Sequence, residues 1–571
     1  MPTWKAGAPQ GRPYCCPDRP RVQYYRLLAA VVLLSAGVAG ASERPGTAIA
    51  PSDVPASEEL ARRGALIGRI DVYVQNIFDL ADPREDLALY RLANRLHYPT
   101  RETTIREQLL FAPGQRLSVQ QLAETERILR SRRYLNDAWI VPVHYDAAHN
   151  VVDLAVTVRD VWTLNPGASL GRAGGRNHSS LQLEDENLLG HGTRIALSRS
   201  SDVDRTSTQL SYFDPNLRGS WLQLGAMYAE NSDGRVTSLG LQRPFYSLAT
   251  RTAGGATAYD GSSREALYSN GRIADQFDAR HSQHQAYYGW SDGLVDARTQ
   301  RWYAGVRYDE ATFGRVAAAT PPTTLLPADR RFVYPWLGWE LVEDRYTKSE
   351  NFDLIGRTED LYLGQSLYAE LGYSAGEFGG RGHSLLAHVT ALDTWQPGSG
   401  QLLFGSATLD GRLDDGVAHN VRLNAAGRYF ARLTARQEFY AALSATTTRR
   451  ADLDQQLLLG GDSGLRGYPL RFQGGSSSAL LTLEHRNYTH WYPFRLVRVG
   501  AAAFLDAGRT WGRDFAGAVP SGWLTDIGVG LRLGNNRSGL GNVVHIDLAY
   551  AIDAPLGARR FQLSVSTQDR F

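Results

Sequence analysis

Three short stretches carry residue types that could do covalent or metal chemistry. GYSAG (372–376) has the G-x-S-x-G spacing of a nucleophile elbow, with Ser374 as the nucleophile. That elbow needs a helix after the serine, and the EFGGRGHSLL that follows reads as a turn into another strand. GDSG (461–464) offers Ser463, but no His and Asp stand where they would serve as base and orienter. His281 and His284 (HSQH) are two imidazoles without a third ligand at a zinc-like spacing. No phosphate-binding loop ending in GK[ST] occurs. We therefore expect no enzyme, no metal and no cofactor. A fourth stretch offers a different chemistry. Residues 460–472 read GGDSGLRGYPLRF, with four glycines and a proline around Arg466. Glycine marks backbone that a Cβ would forbid or crowd, so this is a loop of specified shape. Its guanidinium can fork two hydrogen bonds onto one carboxylate. Left alone in a loop, it would simply be solvated.

The elements that position this loop have to come from the remaining sequence. Lys and Arg number 61 against 59 Asp and Glu, so charge gives no footprint for nucleic acid. With 57 Gly, 28 Tyr, 18 Phe and 12 Trp but two Met, the 571 residues resemble a turn-rich, aromatic-rich β protein. Both cysteines, Cys15 and Cys16, precede a basic stretch (RPRVQYYR) and the apolar run LLAAVVLLSAGVAG, which ends in Ala39-Gly40-Ala41. That reads as a secretory signal peptide over 1–41, too short in its apolar part for a membrane helix and with a basic region long enough to suggest a start near Val22. A Pro-, Ala- and Ser-rich linker (42–66) follows. Over 67–160 the pattern becomes compact. IGRIDVYVQNI alternates as a strand, TTIREQLLFAPG offers Thr104 and Glu107 as a capping box, and SVQQLAETERILRSRRYL offers Ser118 and Gln121 as a second. AWIVPVHYD and VVDLAVTVRD complete an order of β-α-α-β-β.

From 161 to 571 the helical signal disappears, and short alternating runs recur between Gly, Asn, Asp and Ser. In VVHIDLAYAI, Val544, Ile546, Leu548, Tyr550 and Ile552 share one parity, with His545, Asp547, Ala549 and Ala551 on the other. A transmembrane β-barrel has this alternation, as does a soluble sandwich or propeller. At roughly 25 residues per strand and connection, the segment allows about 16 antiparallel strands.

A family resemblance chooses among these. The first domain, with REQLLFAPGQRLS, AETERILRSRRYLNDAWI and VDLAVTVRD, resembles a polypeptide-transport-associated (POTRA) domain. That is the periplasmic module of the BamA/TamA outer-membrane assembly superfamily. Only one copy is visible, and DLADPREDLALYRLANRLHYP between the first strand and first helix is longer than the usual pattern. SSLQLEDENLLGHGTRIALS resembles the superfamily's first barrel strand, and a C-terminal strand ending in Phe571 resembles its assembly signal. In that superfamily an extracellular loop with the motif (V/L)-R-G-(F/Y) folds back into the barrel and its Arg meets acidic groups of the wall. Leu465, Arg466, Gly467 and Tyr468 match it, and Phe504, Asp506 and Gly508 match a second pattern, F-x-D-x-G. Parity agrees: Phe504 and Asp506 fall opposite the oily Val499, Ala501, Ala503 and Leu505, and Glu484 falls opposite Leu481 and Leu483.

The resemblance thus implies an α+β periplasmic POTRA domain followed by an all-β barrel of the bacterial surface antigen type. Its setting would be the bacterial outer membrane, where a monomeric barrel in lipid assists insertion or translocation of unfolded or nascent polypeptides, received at the POTRA strands by edge pairing. A secretion pore or passive diffusion channel, and a structural surface antigen without insertase activity, are the alternatives.

Overall fold

In the computed structural model the described residues are 51–316, 321–350, 352, 357–515, 522–535, 537, 543–554 and 559–568. The expected leader with Cys15 and Cys16, the first part of the linker, and Phe571 lie outside them.

The N-terminal unit runs α1 (Ser57–Arg62), β1 (Leu66–Gln75), α2 (Ala88–Leu96), α3 (Glu102–Arg106), α4 (Val119–Arg130), β2 (Leu135–Asp146) and β3 (Val151–Asp160). Its sheet has the order β1-β3-β2, with β1 parallel and β2 antiparallel to β3. Ile67, Ile105, Leu122, Leu129, Leu154 and Val156 build its core. Three features depart from the sequence reading. The end of the segment read as linker belongs to this unit: Ser57–Arg62 form α1, and Leu60 and Ala65 are fully buried in the core. Three helices, not two, separate β1 from β2, because the long DLADPREDLALYRLANRLHYP segment forms α2. Ser118 does cap α4, accepting from the Gln121 N–H at 3.4 Å. The capping box expected of Thr104 and Glu107 is absent: Thr104 lies inside α3, and its hydroxyl donates instead to the Gly190 carbonyl at 2.8 Å.

From Leu164 onward, twenty antiparallel strands close into one barrel, which corrects the expected sixteen or so. The estimate failed on the connections. Several hairpins turn on two residues in left-handed backbone, as at Gly174-Gly175, Asn270-Gly271, Asp296-Ala297 and Asp415-Gly416, so a strand with its connection uses fewer residues than assumed. A second correction concerns SSLQLEDENLLGHGTRIALS, which forms the second and third barrel strands; the first is Leu164–Ala173. Outward-facing positions are apolar, among them Leu181, Leu183, Leu241, Val306, Leu337, Leu371, Val529 and Leu548. Inward positions are polar or aromatic, as in the buried Arg307–Glu370 pair at 2.7 Å. An oily exterior on a closed sheet with a polar lumen is the arrangement that satisfies every backbone group inside a bilayer.

The wall is uneven. Thr252–Ser269 and Arg272–Val295 are 18 and 24 residues long, whereas the last strand, Phe561–Gln568, has eight. Among the described residues that last strand meets the first through a single pair, Val565 opposite Arg172.

Candidate functional site

The segment between the strands Gln437–Arg449 and Ser477–Tyr488 crosses the lumen instead of turning back at the rim. A short internal ladder, Leu457–Leu459 with Gln473–Gly475, pinches its base. Forked ion pairs tie its flanks to distant parts of the wall: Asp452 to Arg412 (2.7 and 2.8 Å), Asp454 to Arg330 (both 2.8 Å), and Arg471 to Asp204. The tip, 460–468, turns on the Leu465 N–H donating to Gly460 O and the Tyr468 N–H donating to Leu465 O. Leu465 and Tyr468 are buried with Leu459, Leu524 and Ala551.

At this tip Arg466 meets the wall. Its Nε and Nη2 fork onto Asp506 at 2.7 and 2.9 Å, and Nη1 donates to Glu484 at 2.7 Å and to Asp547 at 3.4 Å. The guanidinium lies 3.4 Å from the centroid of the Phe504 ring, adding a cation–π contact. Gly467 passes so close to the wall that a Cβ there would lie 2.6 Å from Asp526 Cβ, and its N–H donates to Asp526 at 2.9 Å. The Tyr468 hydroxyl donates to Thr525 O at 2.9 Å. Gly508 leaves room on the wall, since a Cβ there would meet Leu459 Cδ2 of the loop's base at 3.0 Å. The structure thus brings Leu465, Arg466, Gly467, Tyr468, Glu484, Phe504, Asp506 and Gly508 into one cluster. Removing one partner from so shielded a group would cost about 3–5 kcal/mol.

Sequence reasoning missed the rest of this network. Arg532 pairs with Asp547 and lies 3.3 Å from Glu484, while Arg486 donates to the other Glu484 oxygen at 3.0 Å and reaches Glu438 at 3.3 Å. Three guanidiniums therefore share the wall carboxylates. Parity had already set Asp547 opposite the oily face of its strand, and Arg486 shares the parity of Glu484; which inward residues meet depends on strand register and barrel curvature.

The serine and histidine candidates are not brought together. Ser374 is buried, its hydroxyl accepting from the Val333 N–H at 3.0 Å. Ser463 exchanges hydrogen bonds with Gly460 within the loop. His281 and His284 lie three apart on one strand, so their side chains leave on opposite faces.

At the other end of the barrel the N-terminal unit spans the mouth and touches six connections. Gly190 O accepts from the Arg101 N–H, Asn216 donates to Glu107 O, and the Leu248 N–H donates to Glu124. Arg495 and Arg537 each pair with Glu85. The sixth connection is a hairpin, Tyr346–Glu350 with Thr358–Tyr362. Its Asp360 takes a fork from Arg130 (2.7 and 2.8 Å), its Lys348 pairs with Glu126, and Thr358 donates to Asp137 at 2.7 Å. This grip also covers the free edge of β2. Arg130 donates to Ala138 O, Glu126 accepts from the Ile140 N–H, and Arg357 donates to Leu135 O, so side chains occupy the backbone groups an added strand would need. Burial pushes the carboxyl groups of Glu124 and Asp137 above their ordinary range.

No family model matches the chain, and no curated protein matches it. Among solved structures it is similar to CdiB from Escherichia coli (TM-score 0.47, 12% identity, covering 88% of this chain and 76% of that one) and CdiB from Acinetobacter baumannii (0.44, 13%, 88% and 74%). It is also similar to BamA from Haemophilus ducreyi lacking POTRA domains 1–3 (0.36, 12%, 88% and 85%). The functional reading rests on the chain's own geometry.

Proposed function

We propose that this protein is a bacterial outer-membrane barrel that assists the insertion or translocation of other polypeptides, with 67–160 as a periplasmic POTRA domain and the barrel following from 161. The observation that carries the reading is the seam. Among the described residues, the last and first strands share one pair, while every other neighbouring pair in the barrel shares seven or more. Among these residues the first strand thus leaves most of one edge over Leu164–Ala173 without a described partner. In lipid, unpaired backbone groups are costly, and an incoming strand relieves that cost. The strands at this seam, ten and eight residues long, lie near the short limit for crossing a bilayer, which favours local thinning where a client would enter.

Two features weigh against a passive diffusion channel: a loop held inside the lumen by buried ion pairs, and a folded unit across the mouth. Clients would be extended polypeptides pairing first with an edge of the N-terminal sheet; at β2 such pairing requires Arg130 and Glu126 of α4, and Arg357 of the hairpin connection, to give up the backbone groups they hold. The test joins Arg172→Cys to Val565→Cys, the pair that bridges the seam among the described residues. In liposomes, the reduced protein should accelerate folding of a barrel client and the oxidised protein should not. Equal acceleration in both states, or conductance without acceleration, would overturn the insertase reading in favour of a pore.

A further inference from the structure

Helix α2 has three distinct faces. Tyr90, Ala93, Asn94 and His97, at i, i+3, i+4 and i+7, turn toward the protein: Tyr90 and His97 are buried, and Asn94 donates to Phe78 O at 2.8 Å. Leu89, Leu92 and Leu96, at i, i+3 and i+7, form a second face that touches no core, with 61, 48 and 65% of their surface exposed. Arg91 and Arg95 form a third, about a third of a turn from the leucines. A soluble domain rarely leaves such a leucine stripe open.

The helix is fastened along the periplasmic rim of the barrel. At its start, Tyr90 donates its hydroxyl to Phe494 O in the turn before the strand Val497–Trp511, and Glu85 pairs with Arg495 and Arg537. Beyond its end, Asp160 receives His97 (2.8 Å) and the Thr100 N–H and hydroxyl (2.8 and 2.6 Å), and Arg101 donates to Leu189 O at 3.1 Å and to Gly190 O. It therefore runs beneath the strands on either side of the seam. The rim residues beside it are exposed and apolar too: Trp491 and Phe494 at one end, Leu189 at the other, and Leu164 where the barrel begins. The leucine stripe continues the barrel's oily belt onto the N-terminal unit.

We infer that α2 is an interfacial helix that seats Leu89, Leu92 and Leu96 in the periplasmic leaflet of the membrane beside the seam, with Arg91 and Arg95 at the level of the lipid phosphates. A short helix with an apolar face and a basic face, lying parallel to the boundary, is the form that binds a lipid surface. Arg95 has no polar partner among the described residues, and Arg91 pairs only with its neighbour Asp86, leaving both available to anionic headgroups. The inference rests on the barrel being membrane-embedded and adds to it a second, non-barrel attachment that fixes the N-terminal unit against the bilayer where the wall is least paired.

The test places single cysteines at Leu89, Leu92 and Leu96 in a Cys15→Ser, Cys16→Ser background. Each is labelled with an environment-sensitive fluorophore, and the protein is reconstituted in phosphatidylethanolamine/phosphatidylglycerol vesicles. Spin-labelled phospholipid should remove most of the emission at all three sites, as it should at Leu531→Cys on the barrel belt, while aqueous iodide should quench Arg95→Cys. Iodide quenching at the leucine sites would overturn the inference, and so would protection from both quenchers, which would indicate a protein partner or a second copy. Failure of lipid quenching at Leu531→Cys would separately overturn the membrane barrel on which the inference rests.

Discussion

The tip of the lumenal loop and the hairpin at the mouth are both held by forked arginine–carboxylate pairs, yet they are built for different lifetimes. Arg466 reaches three carboxylates on three wall strands, and two more guanidiniums, Arg486 and Arg532, balance the same carboxylates. Each side chain in that cluster is nearly fully buried and multiply bonded, so no single bond can be exchanged for water. At the mouth, Arg130 and Asp360 are as well covered as Arg466, but Lys348, which joins the same hairpin to Glu126, is 54% exposed at its side chain. Water can reach the Lys348 contact directly. The lesson is that the same bond serves as a permanent plug where the wall surrounds it, and as a releasable latch where it spans two units.

The largest effect is expected at the loop. Arg466→Ala should cost about 3–5 kcal/mol of loop anchoring, because Asp506 and Glu484 are left buried without their main partner. Arg466→Lys should recover only part, since an ammonium cannot fork. Access of a thiol reagent to Ser463→Cys from the extracellular side measures both, and unchanged access in Arg466→Ala would erase the distinction between plug and latch. At the mouth, Asp360→Ala should release the N-terminal unit by about 3 kcal/mol, because Arg130 stays buried, whereas Lys348→Ala should cost about 0–1 kcal/mol. Protease cleavage between the unit and the barrel reads the difference, and equal effects would mean that the latch is not graded by burial.

The smallest effect is one of pH. The Glu124 carboxyl is raised above its ordinary 4.5 by burial, so the packed state favours its protonated form. Its contribution is best below that ordinary value, and the penalty for charging it grows as pH climbs through the raised value. Docking of the N-terminal unit should therefore weaken as pH rises from about 4.5. Glu124→Gln should reduce that slope, leaving the part owed to Asp137, which shifts in the same direction. Protease accessibility measured against pH supplies the check.

Period-two parity placed Glu484, Asp506 and Asp547 opposite the oily side of their strands, because alternation is a property of each strand by itself. The glycines of 460–468 marked a shaped loop for the same local reason. The strand count could not be read that way, since it depends on how many connections close in two residues. Neither could the missing capping box: Thr104 has the right neighbours in the chain, but a carbonyl 86 residues further on takes its hydroxyl.

What the sequence determined alone was therefore chemistry and facing: an anchoring cation in a rigid loop, and carboxylates on one side of their strands. Tertiary structure decided who meets whom. Twenty strands, their register and their closure brought Asp506, Glu484 and Asp547 around one guanidinium, left a single pair at the seam among the described residues, and laid α2 along the rim. Those outcomes depend on distances between residues far apart in the chain, which no local pattern encodes.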